Sequence, residues 1–415
     1  MGEPARKLEF SAPAPAAGKV LDTTSAPKAF ALPVILKTIQ VRHGKPLHAV
    51  VTEMAKLAFS SSKISTEDYL MLRLFDDQHL SYADKLKFAG VKCYHKIWAA
   101  GNANRTFIGV MNDKVVFDAL FKAYGLPVIE TKAFYSAGFV PPAFKHLRSA
   151  DQIRAFLNET ANYPFFSKPR KSLMSLGSAS VDGYDAGTDE LLLQSGKRVP
   201  AQKFIDEIVT HYQDGYLFQN RVSPHDEVKA LCGDKLATVR VYTLNGPRGP
   251  EVFRTIWKIP SGKNSADNFW RKGNMLAALD IETGAITRVI SGTSIDQVEP
   301  DVHPDSGQTL VGTVVPNYAK VLQAALDGAK ALPEIRVIGW DIAPTNDGAV
   351  IVEGNHNPDF RLVQMAERRG ILDSRMAEFM SFCEASKAAE TQSMRREIKS
   401  VNRAKLQTLK ANSKV

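Results

Sequence analysis

The chain has 415 residues, 44% hydrophobic and 23% charged, the balance of a folded globular protein long enough for two or three domains. Its three cysteines (Cys93, Cys232, Cys383) stand too far apart for a disulfide framework or a CxxC zinc site, and no apolar run reaches the ~20 residues that span a bilayer. The net charge is +9, but residues 387–415, with eight basic and two acidic side chains, carry +6 of it, so the body is near neutral and has no basic stripe for nucleic acid.

Residues 1–30 are rich in Ala, Pro and Ser and read as a mobile leader without the apolar h-region of a secretory signal. A soluble, cytoplasmic protein in a reducing compartment is expected. From Leu32 to Gly101 the period is helical: PLHAVVTEMAKLAFS and SYADKLKFAGVK carry apolar residues at three-and-four spacing, and Ser65–Thr66–Glu67–Asp68 reads as a helix start. Another helix, KVVFDALFKAYG, follows Asn112–Asp113 and stops at Gly125.

The period then shortens. YPFFSKP, ASVDGY, ELLLQ, GYLFQNRV, ATVRVYTL, EVFRTIW, LAALDI, AITRVI, IRVIGWDI and AVIVEGN are β-rich runs bounded by turn residues, interrupted by helical AQKFIDEIVTHYQ and YAKVLQAALDGAKAL. This predicts an α+β fold with mostly antiparallel sheet. The chain ends, from about Arg375, in one long helix-compatible run whose last third is basic and polar.

Two segments concentrate the chemistry. In YPFFSKPRKSLMSLGSASV a strand ends at Lys168–Pro169 and a Ser/Gly loop (Ser172, Ser175, Gly177, Ser178) precedes the next strand. Such a loop covers a polyphosphate with backbone N–H groups and hydroxyls, Lys168 adding a point charge. An ordinary Ser-rich turn beside a solvated lysine is the competing reading. In RVIGWDIAPTNDGAVIVEGNHNPDF, two strands flank Thr345–Asn346–Asp347–Gly348. Asp341 lies six residues before position 347 and Glu353 six after, so the hairpin sets them roughly opposite, and Asn355 shares the face of Glu353. Three oxygen donors then converge, a set suited to Mg²⁺ with room for phosphate oxygens. The alternative is a solvated acidic hairpin, although its neighbours are strongly apolar. Arg240, in the strand TVRVYT, suits either a clamp on a carboxylate or phosphate or a salt bridge to the next strand. Lys258 and Asn268, in KIPSGKNSADNFW, are candidates for the same cleft, although ordinary polar residues without a role in it are the favoured reading for these two.

The order NDK, SKP with its loop, LFQN, TVRVYT, DN, HPDSG and GWDIAPTNDGAVIVEGNHNP resembles the ATP-grasp superfamily, and within it the sugar-transfer-associated ATP-grasp family, from roughly Leu32 to Ala377. The resemblance implies two α+β lobes clasping ATP after a helical N-terminal region: leader 1–30, helical region 31–110, first lobe 111–222, second lobe with the metal site 223–380, basic helical tail 381–415. It assigns Lys114 and Lys168 to the phosphates and the loop from Ser172 to Ser178 to a flap over them. Tyr216–Asn220, including Phe218, Gln219 and Asn220, becomes the inter-lobe segment whose backbone edge holds adenine; many relatives carry an acid where Asn220 stands. Asp341, Glu353 and Asn355 become Mg²⁺ ligands (Mn²⁺ the alternative ion), and Arg240 lies near the γ-phosphate and acceptor carboxylate, with Lys258 and Asn268 as further catalytic candidates.

The activity implied is an ATP- and Mg²⁺-dependent ligase joining a carboxylate, small or glycan-linked, to an amine through an acyl phosphate, in surface polysaccharide or precursor synthesis. A small-molecule kinase or a non-catalytic binding protein on the same fold are the alternatives. Such chemistry needs positioning and charge neutralisation rather than a Ser or Cys nucleophile.

Overall fold

The computed structural model describes residues 32–103, 107–138, 144–171, 176–262, 264 and 267–412, with backbone alone for 406–412; the leader expected at 1–30 and the loop residues Ser172 and Ser175 lie outside the described residues. The N-terminal stretch is helical, as its apolar spacing predicts: α1 (Leu32–His43), α2 (Leu47–Phe59), α3 (Thr66–Met71), α4 (Tyr82–Lys85), α5 (Val91–Gly101), α6 (Ile108–Asn112) and α7 (Lys114–Ala123). Ser65 starts α3 reciprocally: its hydroxyl accepts from the Asp68 N–H while the Asp68 carboxylate accepts from the Ser65 N–H, both at 3.0 Å. Asp113 starts α7 by accepting from the Val115 and Val116 N–H groups.

The strand-rich part runs β1 (Thr131–Tyr135), β2 (His146–Leu147), α8 (Ala150–Asn158), β3 (Phe165–Pro169), β4 (Ala179–Asp185), β5 (Glu190–Leu193), β6 (Arg198–Pro200), α9 (Ala201–His211), β7 (Tyr216–Asn220) and α10 (Asp226–Cys232). It continues through β8 (Val239–Gly246), β9 (Gly249–Ile259), β10 (Met275–Leu279), β11 (Ile286–Ser291), α11 (Tyr318–Ala331), β12 (Val337–Thr345), β13 (Gly348–Asn355), α12 (Phe360–Glu367) and α13 (Ser374–Asn412). Among the described residues these strands form a seven-stranded sheet, β2-β1-β7-β3-β4-β5-β6, and a six-stranded sheet, β11-β10-β9-β8-β12-β13. Pairing within both sheets is antiparallel except for β1 with β2.

Alternation along the strands gives each sheet two different faces. One face of the seven-stranded sheet (Phe165, Val181, Tyr216, Phe218) buries against Phe156 and Phe204 of α8 and α9. On its other face Phe134 and Leu217 meet Val115 of α7. The six-stranded sheet packs Val241, Trp257 and Trp340 under α11 and under Phe117 and Phe121 of α7. Helix α7 therefore bridges the sheets. The opposite face (Tyr242, Leu244, Ile256, Val337) shares one core with α1–α3, α5, α12 and α13, which are stitched down by Asn102 on Val337 and by Gln364 on Ala89.

Toward the cleft that face becomes charged: Leu244 and Tyr242 give way to Arg240 on β8, Ile256 to Lys258 on β9, and Val337 and Gly339 to Asp341 on β12. Under the helices the same face holds one more charge, Arg254, paired with Glu367 and Asp373. Beyond the body, α13 continues as a solvated helix whose side chains from 387 to 405 are all exposed.

Candidate active site

The two sheets face each other across two adjoining cavities of 610 and 400 Å³ that share Lys168, Glu353 and Asn355 in their walls. The larger is also lined by Lys114 and Gln219, the smaller by Arg240, Lys258 and Asp341.

The wall from the seven-stranded sheet carries Lys168. Its partner across the β3–β7 ladder is Leu217, so the lysine projects from the face that meets α7, where Lys114 opens the helix. Lys168 is only 8% exposed, and among the described residues its ammonium makes no hydrogen bond or ion pair. Burial, reinforced by the Lys114 charge, lowers it to about 8, against the opposing pull of Glu353 and Asp118. Beside it, Gln219 donates through Nε2 to Thr131 Oγ1 at 3.1 Å, and Thr131 donates onward to Asp118. That chain leaves Gln219 Oε1 buried without a partner.

The other wall is set by a bulge. The turn pairs Thr345 with Gly348, and the ladder then pairs Ala343 with Val350 and Ile342 with Ile351. Without interruption Asp341 would stand opposite Val352. One extra residue on β13 pairs Asp341 with Glu353 and Gly339 with Asn355 instead, so all three oxygen-bearing side chains share one face.

Asp341 is already engaged. Its cross-strand partner Arg240 donates Nε to Oδ1 at 2.6 Å and Nη2 to Oδ2 at 2.8 Å, and Lys258 Nζ lies 3.1 Å from Oδ1. Burial alone would push this carboxyl up; the two cations outweigh it and hold Asp341 below the ordinary carboxylate range. Lys258 also meets Asp267 at 3.3 Å, and Asp267 accepts from the Thr238 N–H at 2.8 Å. Two cations and two carboxylates thus form a nearly balanced array. Gly339 makes room for it: a Cβ there would lie 2.6 Å from Pro358 Cβ and 3.2 Å from Arg240 Cδ.

Of the residues singled out in the sequence, Lys114, Lys168, Gln219, Asn220, Arg240, Lys258, Asn268, Asp341, Glu353 and Asn355 all line the two cavities. For Arg240 the structure contains the cross-strand salt bridge. Asn268 accepts from the Trp270 N–H at 3.1 Å through Oδ1, which leaves its Nδ2 buried without a partner. Phe218 is a correction: its ring is fully buried among Phe156, Phe165 and Tyr216, on the face away from the cavities. The free backbone edge expected at Tyr216–Asn220 is absent too, because β7 lies between β1 and β3 and is paired on both sides. The chain leaves the ladder only at Arg221–Val222, which line the smaller cavity.

Neither Gly177 nor Ser178 lines the two cavities, and Gly177 is held from behind. The Tyr216 hydroxyl donates to Gly177 O at 2.8 Å, and a Cβ on Gly177, at φ +76°, would collide with the Tyr212 hydroxyl. The HPDSG loop braces the turn after β9: His303 Nε2 lies 3.0 Å from Pro260 O, and Asp305 accepts from the Gly262 N–H at 2.8 Å. Sequence reading missed Asp118 and Asp267 on the cavity walls. Asp118 had a signal, an acid on the apolar stripe formed by Val115 and Phe121.

A family model, sugar-transfer associated ATP-grasp, matches residues 98–379. The chain belongs to this family. The two facing sheets around a shared cleft are its ATP-grasp fold, with the helices from Leu32 to Gly101 set before them. No curated protein sequence matches the chain. Similar solved structures include the D-alanine–D-alanine ligase of Coxiella burnetii (12% identity, TM-score 0.42, 70% of this chain and 62% of that one). N5-carboxyaminoimidazole ribonucleotide synthetase of Thermotoga maritima (12%, 0.35, 71% and 56%) and the ATP-grasp ligase PsnB with a minimal precursor (14%, 0.35, 69% and 63%) are similar too. The chain spans less than two thirds of the length of each. Among the described residues, no helix is long and apolar enough to cross a membrane.

The donors suit a hard cation in part. Among the described residues Glu353 makes no hydrogen bond or ion pair and the Asn355 side-chain oxygen accepts none, while the Asn355 amide nitrogen, a donor and not a ligand, is buried without an acceptor. One carboxylate and one amide, with water and phosphate oxygens completing the shell, fit Mg²⁺. No group of three His, Cys, Asp or Glu side chains that could hold a metal occurs among the described residues, as expected where Asn355 is one of the donors.

Proposed function

We propose that this ATP-grasp protein is an ATP- and Mg²⁺-dependent ligase that joins a carboxylate to an amine through an acyl phosphate. The observation that carries the reading is the facing across the cleft of a buried lysine, Lys168, and a carboxylate, Glu353, neither of which makes a hydrogen bond or ion pair among the described residues. A polyphosphate and a dication placed between them satisfy both. Lys114 and Lys168 hold the phosphates, and Gln219, with Asn220 and the segment after it, meets the base. Glu353 and Asn355, with Asp341, hold the metal. A bound magnesium ion neutralises charge on the transferring phosphoryl group.

In the first step a carboxylate oxygen attacks the γ-phosphorus and ADP leaves. In the second the amine attacks the acyl carbon, inorganic phosphate leaves, and the amine gives up its proton. Arg240, Lys258 and Asn268 lie at the acceptor end, where Asn268 Nδ2 offers a donor to a carboxylate or phosphate oxygen. The family's association with sugar transfer supports a small or glycan-linked acceptor, in making a surface polysaccharide or its precursor. The test is ADP release over paired panels of carboxylates and amines, with mass spectrometry of the products. An amide formed with stoichiometric ADP is the expected result; a stable phosphorylated acceptor would replace this reading with a kinase.

A further inference from the structure

Asp341 differs from the other two proposed metal ligands. Glu353 and Asn355 face the cavity with their ligating groups uncommitted, whereas Asp341 accepts two hydrogen bonds from Arg240 and a third contact from Lys258. A dication placed against Asp341 in this state would meet two cations within reach of the same carboxylate, and repulsion would cancel most of the attraction. The guanidinium is the partner that can change hands, since its fork matches a phosphate or carboxylate as well as it matches Asp341, and Gly339 beside it presents no side chain.

We propose that the Arg240–Asp341 pair is a latch that orders assembly of the site: an anionic ligand must draw Arg240 off Asp341 before Asp341 can join Glu353 and Asn355 at the metal. The latch rests on the reading of the cleft as a metal–nucleotide site. It gives Arg240 a positioning role besides any contact with substrate. Metal binding at Asp341 is then conditional on nucleotide or acceptor.

The experiment is Mn²⁺ binding followed by electron paramagnetic resonance on the full chain, with and without ATP, in the wild type and in Arg240→Gln. The latch predicts that the free wild type binds Mn²⁺ weakly, and that Arg240→Gln binds it at least about tenfold more tightly without nucleotide, because one of the two neighbouring charges is gone. Equal Mn²⁺ affinity of the two nucleotide-free proteins, with normal Mn²⁺ uptake on adding ATP to the wild type, overturns the latch and leaves the metal–nucleotide reading standing. No Mn²⁺ uptake by the wild type even with ATP overturns both. Should Arg240→Gln not fold, Asp341→Asn decides through calorimetry of ATP in excess EDTA. Freed from its full counter-charge, Arg240 should bind metal-free ATP several-fold more tightly, and an unchanged affinity overturns the latch.

Discussion

The two walls of the cleft hold their charges differently. On the seven-stranded sheet Lys168 is buried next to Lys114 with no ion pair among the described residues, and burial and that neighbouring charge loosen its proton. On the six-stranded sheet Arg240, Lys258, Asp341 and Asp267 neutralise one another through a network laid out by the strand register. The first wall is destabilised until an anion arrives, so ligand binding there is attraction. The second is satisfied without ligand, so binding there is exchange. On the proposed reading, a site built of one wall of each kind attracts a polyanion on one side and exchanges internal partners for it on the other.

The largest effect belongs to Glu353, which faces the cleft from β13 and makes no hydrogen bond or ion pair among the described residues. Glu353→Gln should lower Mg²⁺-dependent ADP formation by orders of magnitude, several kcal/mol of lost charge stabilisation, while the ligand-free melting temperature stays nearly unchanged. Both are measured on one sample, and a large fall in melting temperature with near-normal turnover per folded molecule would make Glu353 structural. On the satisfied wall the signs reverse: Arg240→Met removes the two-pronged partner of buried Asp341, leaves it to Lys258 alone, and should cost about 3 kcal/mol in urea unfolding. A change under about 1 kcal/mol would show that the network adds nothing to the fold.

A smaller, pH-dependent effect sharpens the contrast. Lys168 titrates near 8 in the native chain and at an ordinary lysine value of 10.5 when unfolded. The unfolded chain therefore binds more protons between these values, and this group's contribution to stability rises with pH across that window. ATP binding needs the cation, so metal-free ATP affinity should fall as pH climbs above 8, with proton uptake visible by calorimetry in buffers of different ionisation heat. Lys168→Arg should flatten the profile, since arginine keeps its charge there. The smallest effect is expected far from both walls. Deleting the chain after Ala385 should leave ATP turnover within about twofold, because the side chains from 387 to 405 touch little of the body; it should also weaken any attachment to anionic surfaces and its salt dependence. Loss of folded protein on truncation would place that helix in the core.

Much of this was legible because strand and turn chemistry are local. The turn at Thr345–Gly348 and the alternation around it gave the Asp341–Glu353 hairpin, and the Ser65–Asp68 pattern gave a helix start. The bulge that sets Asp341 opposite Glu353 had no compositional mark; counting about position 347 rather than between 346 and 347 reached the same pairing. Strand order was not legible either, since nothing within Tyr216–Asn220 says that β7 is flanked on both sides. That is why Phe218 read as part of a ligand edge and proved to be core. Short strands such as His146–Leu147 and Arg198–Pro200 hold too few residues to show a period. The pairing of Arg240 with Asp341, 101 residues away, exists only through register.

The most direct test of the cleft as a nucleotide site is calorimetric titration of ATP into the wild type and Lys168→Met, with the melting temperature of each recorded without ligand. The account predicts a single site in the wild type and an affinity at least about tenfold weaker in Lys168→Met, the loss of a charge-assisted hydrogen bond, with a melting temperature equal or higher because an uncompensated buried cation has been removed. Equal ATP affinity in the two proteins would contradict it.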